Sequence, residues 1–417
     1  MSSLLISGGR RLDGSVRVQG AKNSVLPILA ATVLNGGENV IHDCPELKDV
    51  KSSLDILESL GCKVKREGST VIVDSTQITN NSISEELMRE MRSSVIFLGA
   101  IISRCTRAQI TYPGGCELGS RPIDLHLKAL RNMGIRITEL HGQIYCDARG
   151  LHSASIHLDF PSVGATENIM LAAVFARGTT RIVNAAKEPE IEDLQDFLNK
   201  AGAKITGAGT SEVYIEGVQK LRRVEHTVIP DRIVAATYLT AAAITGGKVE
   251  VTNAVPDHIA SILAILGECG CGLDVSDKWI TIDAPAKLHA IDKITTSPYP
   301  GFPTDAQAPV MSMLAVADGT SIITENIFEN RFKHVEDLVR MGANIKVDGR
   351  VAVIRGVDKL YGAHVSACDL RGGAAMVVAA LYAQGESTVD CISHIDRGYE
   401  RLEDRLGALG ADIQRID

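Results

Sequence analysis

The sequence predicts an α/β protein made of repeated units with buried central helices, and three observations lead to this fold class. Six segments read as a helix end, a glycine and a short alternating strand, and they recur about every 70 residues. Six nearly uncharged runs of small and aliphatic residues recur with the same period. The chain has 417 residues, which is enough for two globules of about 200 residues with three repeats each.

The first marker of the repeat is the glycine that ends a helix. A helix often ends at a residue with a left-handed backbone, and glycine adopts that conformation without steric cost. In the first repeat Leu60 precedes the glycine, and an alternating strand over residues 62–65 follows it. The six glycines are Gly61, Gly134, Gly202, Gly270, Gly342 and Gly410.

The second marker is a helix expected to be buried on all sides, because each run is rich in Ala, Leu, Val and Met and carries almost no charge. The runs start near Asn23, Arg92, Gly164, Asp231, Asp305 and Gly372. An amphipathic outer helix follows in each repeat, for example over residues 192–200 or 334–341. A strand such as 180–184 or 249–253 lies between the two helices. Two independent markers with one period argue against chance similarity.

Composition excludes several classes of function. The formal net charge is −8, so a broad basic face for nucleic acid or for an anionic membrane is not expected. The N-terminus lacks the regions of a signal peptide, and no apolar run reaches the roughly 18 residues of a membrane span. The cysteines are scattered and odd in number, unlike a disulfide framework. We therefore expect a cytoplasmic protein with reduced, mostly buried thiols.

Polar residues precede or begin the predicted buried helices. A helix N-terminus presents unpaired N–H groups and a partial positive charge, so it attracts anions. Ordinary N-capping would explain three of the polar residues taken singly: Ser24, Ser93 and Thr166. Capping does not explain the cations at these positions, because a cation opposes the helix dipole there. The cations, which predict an anion-binding site, are Lys22, Arg92 and Arg371.

A glycine-rich segment, residues 111–124, carries one cysteine near its middle. Three glycines make the segment flexible, and Pro122 suits the first turn of the helix that follows. Cys116 is poorly placed there for a core role, and a lid could bring its thiol to a substrate. A structural role is the alternative. Arg121 would favour the thiolate and Glu117 would oppose it, so the reactivity of the thiol stays open.

Several common motifs are missing from the sequence. There is no glycine-rich dinucleotide fingerprint, no phosphate-binding P-loop and no zinc-protease motif. Cys269 and Cys271 lack nearby His residues, so we expect them to pack at a helix end rather than bind zinc. No cofactor and no metal ion are expected.

Six motifs occur in an order that is typical of one enzyme family. They are Lys22-Asn23, the Cys116 loop with Arg121-Pro122-Ile123-Asp124, residues 162–168, residues 299–305, Asp369-Leu370-Arg371-Gly372-Gly373 and residues 394–399. From about residue 3 to its C-terminus, the chain resembles the UDP-N-acetylglucosamine 1-carboxyvinyltransferases (enolpyruvyl-UDP-GlcNAc synthases) of the EPSP synthase-like superfamily. The resemblance implies two inside-out α/β barrel globules of three repeats each. One would comprise residues 22–229 and the other residues 1–21 with 230–417, and the active site would lie in the cleft between them.

The resemblance also implies a reaction. Members of the family transfer the enolpyruvyl group of phosphoenolpyruvate to the 3′-hydroxyl of UDP-GlcNAc and release phosphate, by addition and elimination through a tetrahedral ketal. This is the first committed step of bacterial peptidoglycan synthesis, and it implies a cytoplasmic enzyme. The implied partners are these two small-molecule substrates, with no nucleic acid and no membrane, and the oligomeric state stays open.

Family roles fall on individual positions of this chain. Cys116 matches the thiol that gives a proton to C3 of phosphoenolpyruvate and can attach to it covalently. Asp305 matches the carboxylate near the sugar 3′-hydroxyl, the expected general base. Asn23 looks like an orienting hydrogen-bond donor. The cations that match the phosphoenolpyruvate phosphate site are Lys22, Arg121 and Arg397.

Two further sets follow from the same resemblance. The residues that match the UDP-sugar site are Asn23, Arg92, Arg121, Pro122, Ile123, Asp124, Leu125, Ser162, Val163, Gly164, Asp305 and Ile327. The residues that look like support for the substrate charges or the closed cleft are Arg331, Asp369 and Arg371.

One position departs from the family pattern. Some members carry a Lys just before the Ser-Val-Gly motif, where this chain has Phe160 and Pro161. The nucleotide contact there must be apolar, made by the backbone, or missing. Because Cys116 is present, the resemblance also implies sensitivity to the epoxide fosfomycin.

There are two alternatives to this interpretation, a related enzyme and a non-catalytic binding protein. The 5-enolpyruvylshikimate-3-phosphate synthases share the fold and the donor, but the cysteine loop and the motif at residues 369–373 favour the UDP-sugar enzymes. A non-catalytic UDP-sugar-binding relative is disfavoured by the presence of Cys116, Asp305 and Arg397.

Overall fold

The computed structural model describes residues 2–114 and 123–416. These residues form two compact units. The first unit comprises residues 20–114 and 123–229, and the second comprises residues 2–19 and 230–416. Each unit has a hydrophobic core of its own.

Helices without a hydrophilic face form the centre of the first unit. In the first of them every residue except Asn23 is buried, because the run is made of small and aliphatic side chains. The central helices in the described part of this unit are Lys22–Ala31, Phe97–Cys105 and Val163–Ala173. A 3-10 helix, Arg92–Ile96, directly precedes the second of these. The outer helices are Lys48–Ser59, Glu85–Glu90, Asp124–Asn132 and Pro189–Lys200.

Sheets cover these central helices with one buried face. Ile41 lies opposite Val71 in the first sheet, and both are fully buried, whereas their neighbours along the strands alternate outward. The first sheet has the order Val224–Thr227, Glu38–His42, Thr70–Asp74, Lys63–Glu67. The second has the order Ser155–His157, Thr179–Val183, Glu212–Glu216, Lys204–Thr206. The third has the order Arg107–Thr111, Gln143–Asp147, Arg136–Leu140.

The second unit repeats this arrangement. Its central helices, over the residues described, are Arg232–Ile244, Thr304–Leu314 and Leu370–Tyr382, and they pack against one another. Its outer helices are Ala260–Glu268, Val335–Arg340 and Leu402–Ala408. Its 3-10 helices are Pro256–Ile259 and Ile392–Arg397.

The sheets of the second unit include both ends of the chain. One has the order Asp13–Arg17, Lys248–Thr252, Trp279–Asp283, Gly272–Ser276, and another Lys293–Thr295, Thr320–Thr324, Val351–Arg355, Asn344–Asp348. The last has the order His364–Ser366, Glu386–Asp390, Ser3–Ser7, Asp412–Ile416. Leu4 lies opposite both Val389 and Arg415, so pairing of the N-terminal strand holds it in this unit.

The predicted repeat is confirmed by this topology. Each four-stranded sheet starts with a parallel pair and continues with two antiparallel pairs. The six glycines predicted at helix ends all have a left-handed backbone, with φ between 80° and 102°. Two strands end one residue earlier than predicted, because Asn184 and Asn253 have φ of 59° and 52°, which a strand cannot accommodate.

The second repeat of the first unit departs from the others. Its sheet has three strands in the described part of the chain, and an isolated parallel bridge between Ser82 and Gln109 stands where the fourth strand would pair. Across residues 2–114 and 123–416, no helix is long and apolar enough to cross a membrane.

Candidate active site

The carboxylate of Asp305 lies between two arginines in the second unit. Asp305 is in the first turn of the helix Thr304–Leu314, where an acidic residue suits the helix dipole. Arg331 Nη2 lies 2.9 Å from one carboxylate oxygen, and Arg371 Nη2 lies 3.5 Å from the other. Both arginine side chains are only 2% exposed, whereas the Asp305 side chain is 30% exposed. The two cations therefore fix the carboxylate in orientation.

Arg371 is positioned by the start of its own helix. Asp369 is the N-cap residue and accepts hydrogen bonds from the backbone N–H of Arg371 and of Gly372, at 2.9 and 3.0 Å. A Cβ at Gly372 would lie 2.7 Å from the sulfur of Cys368, so this close approach requires glycine. The Arg371 guanidinium lies over the Tyr399 ring, 5.2 Å from its centroid.

Two donors of the Arg371 guanidinium have no acceptor among the described residues. These are Nε and Nη1, and both are buried. Buried charged donors are almost always satisfied in folded proteins. The side chain that holds Asp305 is therefore also suited to bind an anion.

Arg331 joins Asp305 to Asp369. Its Nε and Nη2 donate to the carbonyl of Thr304 at 3.3 and 3.2 Å, and its Nη1 lies 3.8 Å from Asp369. Burial by itself raises the pKa of Asp369. The charge of Arg331 and the two capping N–H groups outweigh that effect, so the pKa lies below the ordinary value.

Glu325, which no sequence motif marked as a site residue, organises the segment around Ile327. The Glu325 carboxylate is 1% exposed and accepts hydrogen bonds from the Ile327 and Phe328 N–H groups, at 2.7 and 3.0 Å. It also accepts from the Thr296 and Thr304 hydroxyls, both at 2.9 Å. The only sequence signal was an acidic residue directly after a strand and two positions before Ile327.

His334 is a second residue of this region that no sequence motif marked. It is 1% exposed, and neither ring nitrogen has a hydrogen-bond partner in the described structure. Burial lowers its pKa to about 4, and the charge of Asp369 opposes this shift. The ring is therefore neutral beside the Arg331–Asp369 pair.

In the first unit, Lys22 begins the central helix and is paired with Asp49. The Nζ–Oδ2 distance is 2.8 Å, and the two side chains are 11% and 2% exposed. The neighbouring Asn23 is half-buried. This pairing offsets the unfavourable position of a cation at a helix start.

The capping predictions for Ser24, Ser93 and Thr166 are wrong. The helix Lys22–Ala31 has Ala21 at its N-cap without a side-chain bond, and Ser24 instead donates to the carboxylate of Asp193. Ser93 lies inside the 3-10 helix Arg92–Ile96, which also has no side-chain cap. Thr166 lies within the helix Val163–Ala173, and the cap of that helix is Ser162. The Thr166 hydroxyl donates to the Ser162 carbonyl at 2.9 Å.

Those residues of the expected UDP-sugar site that the structure describes lie at the starts of elements in the first unit, apart from Asp305 and Ile327 in the second. Ser162 accepts from the Ala165 N–H, and Val163 and Gly164 begin the helix in half-buried positions. Asp124 begins the helix Asp124–Asn132 and is exposed, next to buried Ile123 and half-buried Leu125. Arg92 begins the 3-10 helix and is half-buried.

Three predicted site residues, Cys116, Arg121 and Pro122, lie outside the described residues. The eight other cysteines are free, and five of them are buried. Burial raises the pKa of Cys62 and of Cys146 to about 12, so these thiols are poor nucleophiles. Within the described ranges no group of three or more His, Cys, Asp or Glu side chains is arranged to hold a metal ion.

Four of the predicted site residues therefore form one cluster in the second unit. It consists of Asp305, Arg331, Asp369 and Arg371. In the same unit Arg397 ends a 3-10 helix in a half-buried position. Lys22 and Asn23 lie together in the first unit.

Comparisons with known proteins agree along the whole chain. Residues 6–406 match the family described as EPSP synthase (3-phosphoshikimate 1-carboxyvinyltransferase). A UDP-N-acetylglucosamine 1-carboxyvinyltransferase 2 of Caldanaerobacter subterraneus subsp. tengcongensis is 57% identical over 416 residues, covering 100% of both chains. A UDP-N-acetylglucosamine 1-carboxyvinyltransferase 1 of Symbiobacterium thermophilum is 51% identical and covers 99% of this chain and 95% of its own.

A solved structure shows the same fold. The enolpyruvyl transferase NikO from Streptomyces tendae superposes with a TM-score of 0.89 at 26% identity, covering 99% of this chain and 98% of that one. The match of residues 6–406, together with the two relatives above 50% identity, shows the family. The chain belongs to the EPSP synthase family and, within it, to the UDP-N-acetylglucosamine 1-carboxyvinyltransferases.

Proposed function

We propose that this chain transfers the enolpyruvyl group of phosphoenolpyruvate to the 3′-hydroxyl of UDP-GlcNAc and releases phosphate, in the bacterial cytoplasm, as the first committed step of peptidoglycan synthesis. Full-length relatives that carry this enzyme name support the reaction. The observation on the chain itself that carries the proposal is Asp305, a partly exposed carboxylate between Arg331 and Arg371.

The reaction needs a base and a group that binds anions. In the addition step the 3′-oxygen bonds to C2 of phosphoenolpyruvate, the double bond supplies the electrons for a proton at C3, and the hydroxyl proton leaves. In the elimination step C3 loses a proton, the double bond forms again, and the C2–O bond to phosphate breaks. We assign Asp305 as the base for the hydroxyl proton, because its carboxylate is held in place yet partly exposed.

The cations are assigned to the charges of phosphoenolpyruvate. Arg371 keeps two buried donors available, which suits a carboxylate or phosphate oxygen. We propose that Lys22, Arg121 and Arg397 bind the phosphate and stabilise the charge that develops on it as it leaves.

Cys116 is assigned as the group that delivers the proton to C3. Burial raises the pKa of four described thiols, Cys62, Cys146, Cys269 and Cys368, to about 12, which leaves the loop thiol as the better candidate. We propose that the helix starts at Arg92, Asp124 and Ser162 hold the UDP-sugar together with Ile327.

Phosphate release in the presence of phosphoenolpyruvate tests the function, with UDP-GlcNAc and shikimate 3-phosphate as separate acceptors. We expect turnover with UDP-GlcNAc only. Turnover with shikimate 3-phosphate alone would establish the alternative synthase, and turnover with neither would favour a binding protein.

The assigned roles are tested by substitution. Asp305→Asn should lower kcat by about 100-fold or more, because a positioned general base contributes about that much. Asp337→Asn is the matched control, because Asp337 also lies in the first turn of a helix in the second unit. Fosfomycin should add its mass to Cys116 but not to half-buried Cys105, and Cys116→Ala should abolish turnover. Full turnover by that variant would refute the proton-donor role.

A further inference from the structure

A chain of four polar side chains crosses the interior of the first unit. This chain, the Asp193 network, consists of Ser24, Asp193, His226 and Lys200. Asp193 is 4% exposed, His226 is 3% exposed and Ser24 is fully buried. None of these four residues has a role in the proposed reaction. The presence of a buried carboxylate in this core therefore requires another explanation.

The hydrogen bonds of the network have a definite direction. The Ser24 hydroxyl donates to Asp193 Oδ2, and His226 Nε2 lies 2.8 Å from Asp193 Oδ1. Because a carboxylate only accepts, His226 donates through Nε2. Its Nδ1 is then an acceptor, and Lys200 Nζ lies 3.1 Å from it. The positive charge of Lys200 thus offsets the charge of Asp193 through the imidazole ring.

The same carboxylate holds the start of the helix Lys22–Ala31 by two routes. The direct route is the Ser24 hydroxyl in the first turn. The second runs through Ile229, whose N–H donates to Asp193 Oδ2 at 3.2 Å and whose carbonyl accepts the Ala21 N–H at 2.7 Å. Ala21 is the N-cap residue and provides no side-chain bond. The start of this helix is therefore held by tertiary hydrogen bonds that Asp193 accepts, and not by a side-chain cap.

We propose that Asp193 is a positioning residue that fixes the N-terminal turn of this helix, and with it the directions of Lys22 and Asn23. This inference rests on the proposed function, in which Lys22 binds the phosphate of phosphoenolpyruvate. A small rotation of the turn would move the ammonium group of Lys22 away from the phosphate. Loss of the network should therefore weaken binding of phosphoenolpyruvate more than it weakens the fold.

The test compares Ser24→Ala, Asp193→Asn and the double variant with the unsubstituted protein. Ser103→Ala is the matched control, because Ser103 is also buried in a central helix of the first unit and donates to the Ala172 carbonyl at 3.3 Å. KM for phosphoenolpyruvate, kcat and Tm are measured for each. We expect Ser24→Ala and Asp193→Asn to raise this KM about tenfold. Ser103→Ala should lower Tm by about as much as Ser24→Ala does, and it should leave KM for phosphoenolpyruvate unchanged.

The double variant separates a network from two independent defects. If Ser24 acts through Asp193, the KM of the double variant for phosphoenolpyruvate should lie within about twofold of the KM of Asp193→Asn. A KM for Ser24→Ala within twofold of that of the unsubstituted protein would overturn the inference even if Asp193→Asn failed to fold. Multiplied effects in a folded double variant would also overturn it. No turnover by the unsubstituted protein would overturn the proposed function and this inference together.

Discussion

Replacing Glu325 by Ala should strongly destabilise the second unit. The carboxylate accepts hydrogen bonds from two threonine hydroxyls and from the N–H groups of Ile327 and Phe328. The hydroxyls of Thr296 and Thr304 can turn toward other acceptors after the substitution. The two N–H groups are fixed by the backbone and lose this acceptor.

The magnitude follows from these two groups. Each buried donor that loses its acceptor costs about 1–3 kcal/mol, so we expect Glu325→Ala to lower the free energy of unfolding by about 4 kcal/mol. Glu325→Gln is the matched control. Its amide oxygen can take the place of Oε1 and keep three of the four bonds, while the amide N–H₂ faces the Thr304 hydroxyl, which can accept. We expect that variant to lose only about 1 kcal/mol.

Urea unfolding followed by tryptophan fluorescence measures this difference directly. The single tryptophan, Trp279, lies in the second unit and reports on it. Equal losses for the two variants would show that the charge of Glu325, rather than its bonds to the backbone, matters. A loss below about 1 kcal/mol for Glu325→Ala would refute the reasoning altogether.

Two further predictions concern acid stability and nucleotide binding. Burial, together with the charge of Arg92, lowers the pKa of His126 to about 4, and protonation would break the hydrogen bond that its Nδ1 accepts from Asn168 at 3.0 Å. Because the unfolded state binds this proton at higher pH, stability should be complete above about pH 6.5 and fall toward pH 4, by up to about 3 kcal/mol. His126→Gln should flatten that slope in urea unfolding between these pH values, and an unchanged slope would contradict the assignment. Phe160 is 44% exposed just before the cap residue Ser162. Stacking on a base contributes about 1–3 kcal/mol, so Phe160→Ala should raise KM for UDP-GlcNAc about tenfold and Phe160→Tyr should not. Equal KM values for both variants would exclude an apolar contact with the nucleotide.

The repeat and its elements could be read from the sequence because they depend on local chemistry. A left-handed helix end selects glycine, and a helix buried on all sides selects small aliphatic residues. Such signals lie within one turn or one strand, so they survive without knowledge of neighbours. The strand ends at Asn184 and Asn253 were missed by one residue, since asparagine can either continue a strand or leave it.

The caps were the clearest failure at the candidate site. Ser24 follows a lysine at a helix start and resembles a cap, but its hydroxyl bonds to Asp193, which is 169 positions away in the chain. No spacing rule covers such a pair. Glu325 was missed for the same reason, because two of its four donors, the hydroxyls of Thr296 and Thr304, become visible as partners only when separate segments pack together.

The sequence by itself therefore determined the period, the buried helices and which cations stand at helix starts. Only the tertiary structure decided what those residues do: that Arg331 and Arg371 hold Asp305, and that Asp193 rather than a cap holds the helix of Lys22. Backbone conformation and burial are recorded in the type of each residue. The distance between two charged side chains is set by the packing of whole repeats, which no single segment of the chain encodes.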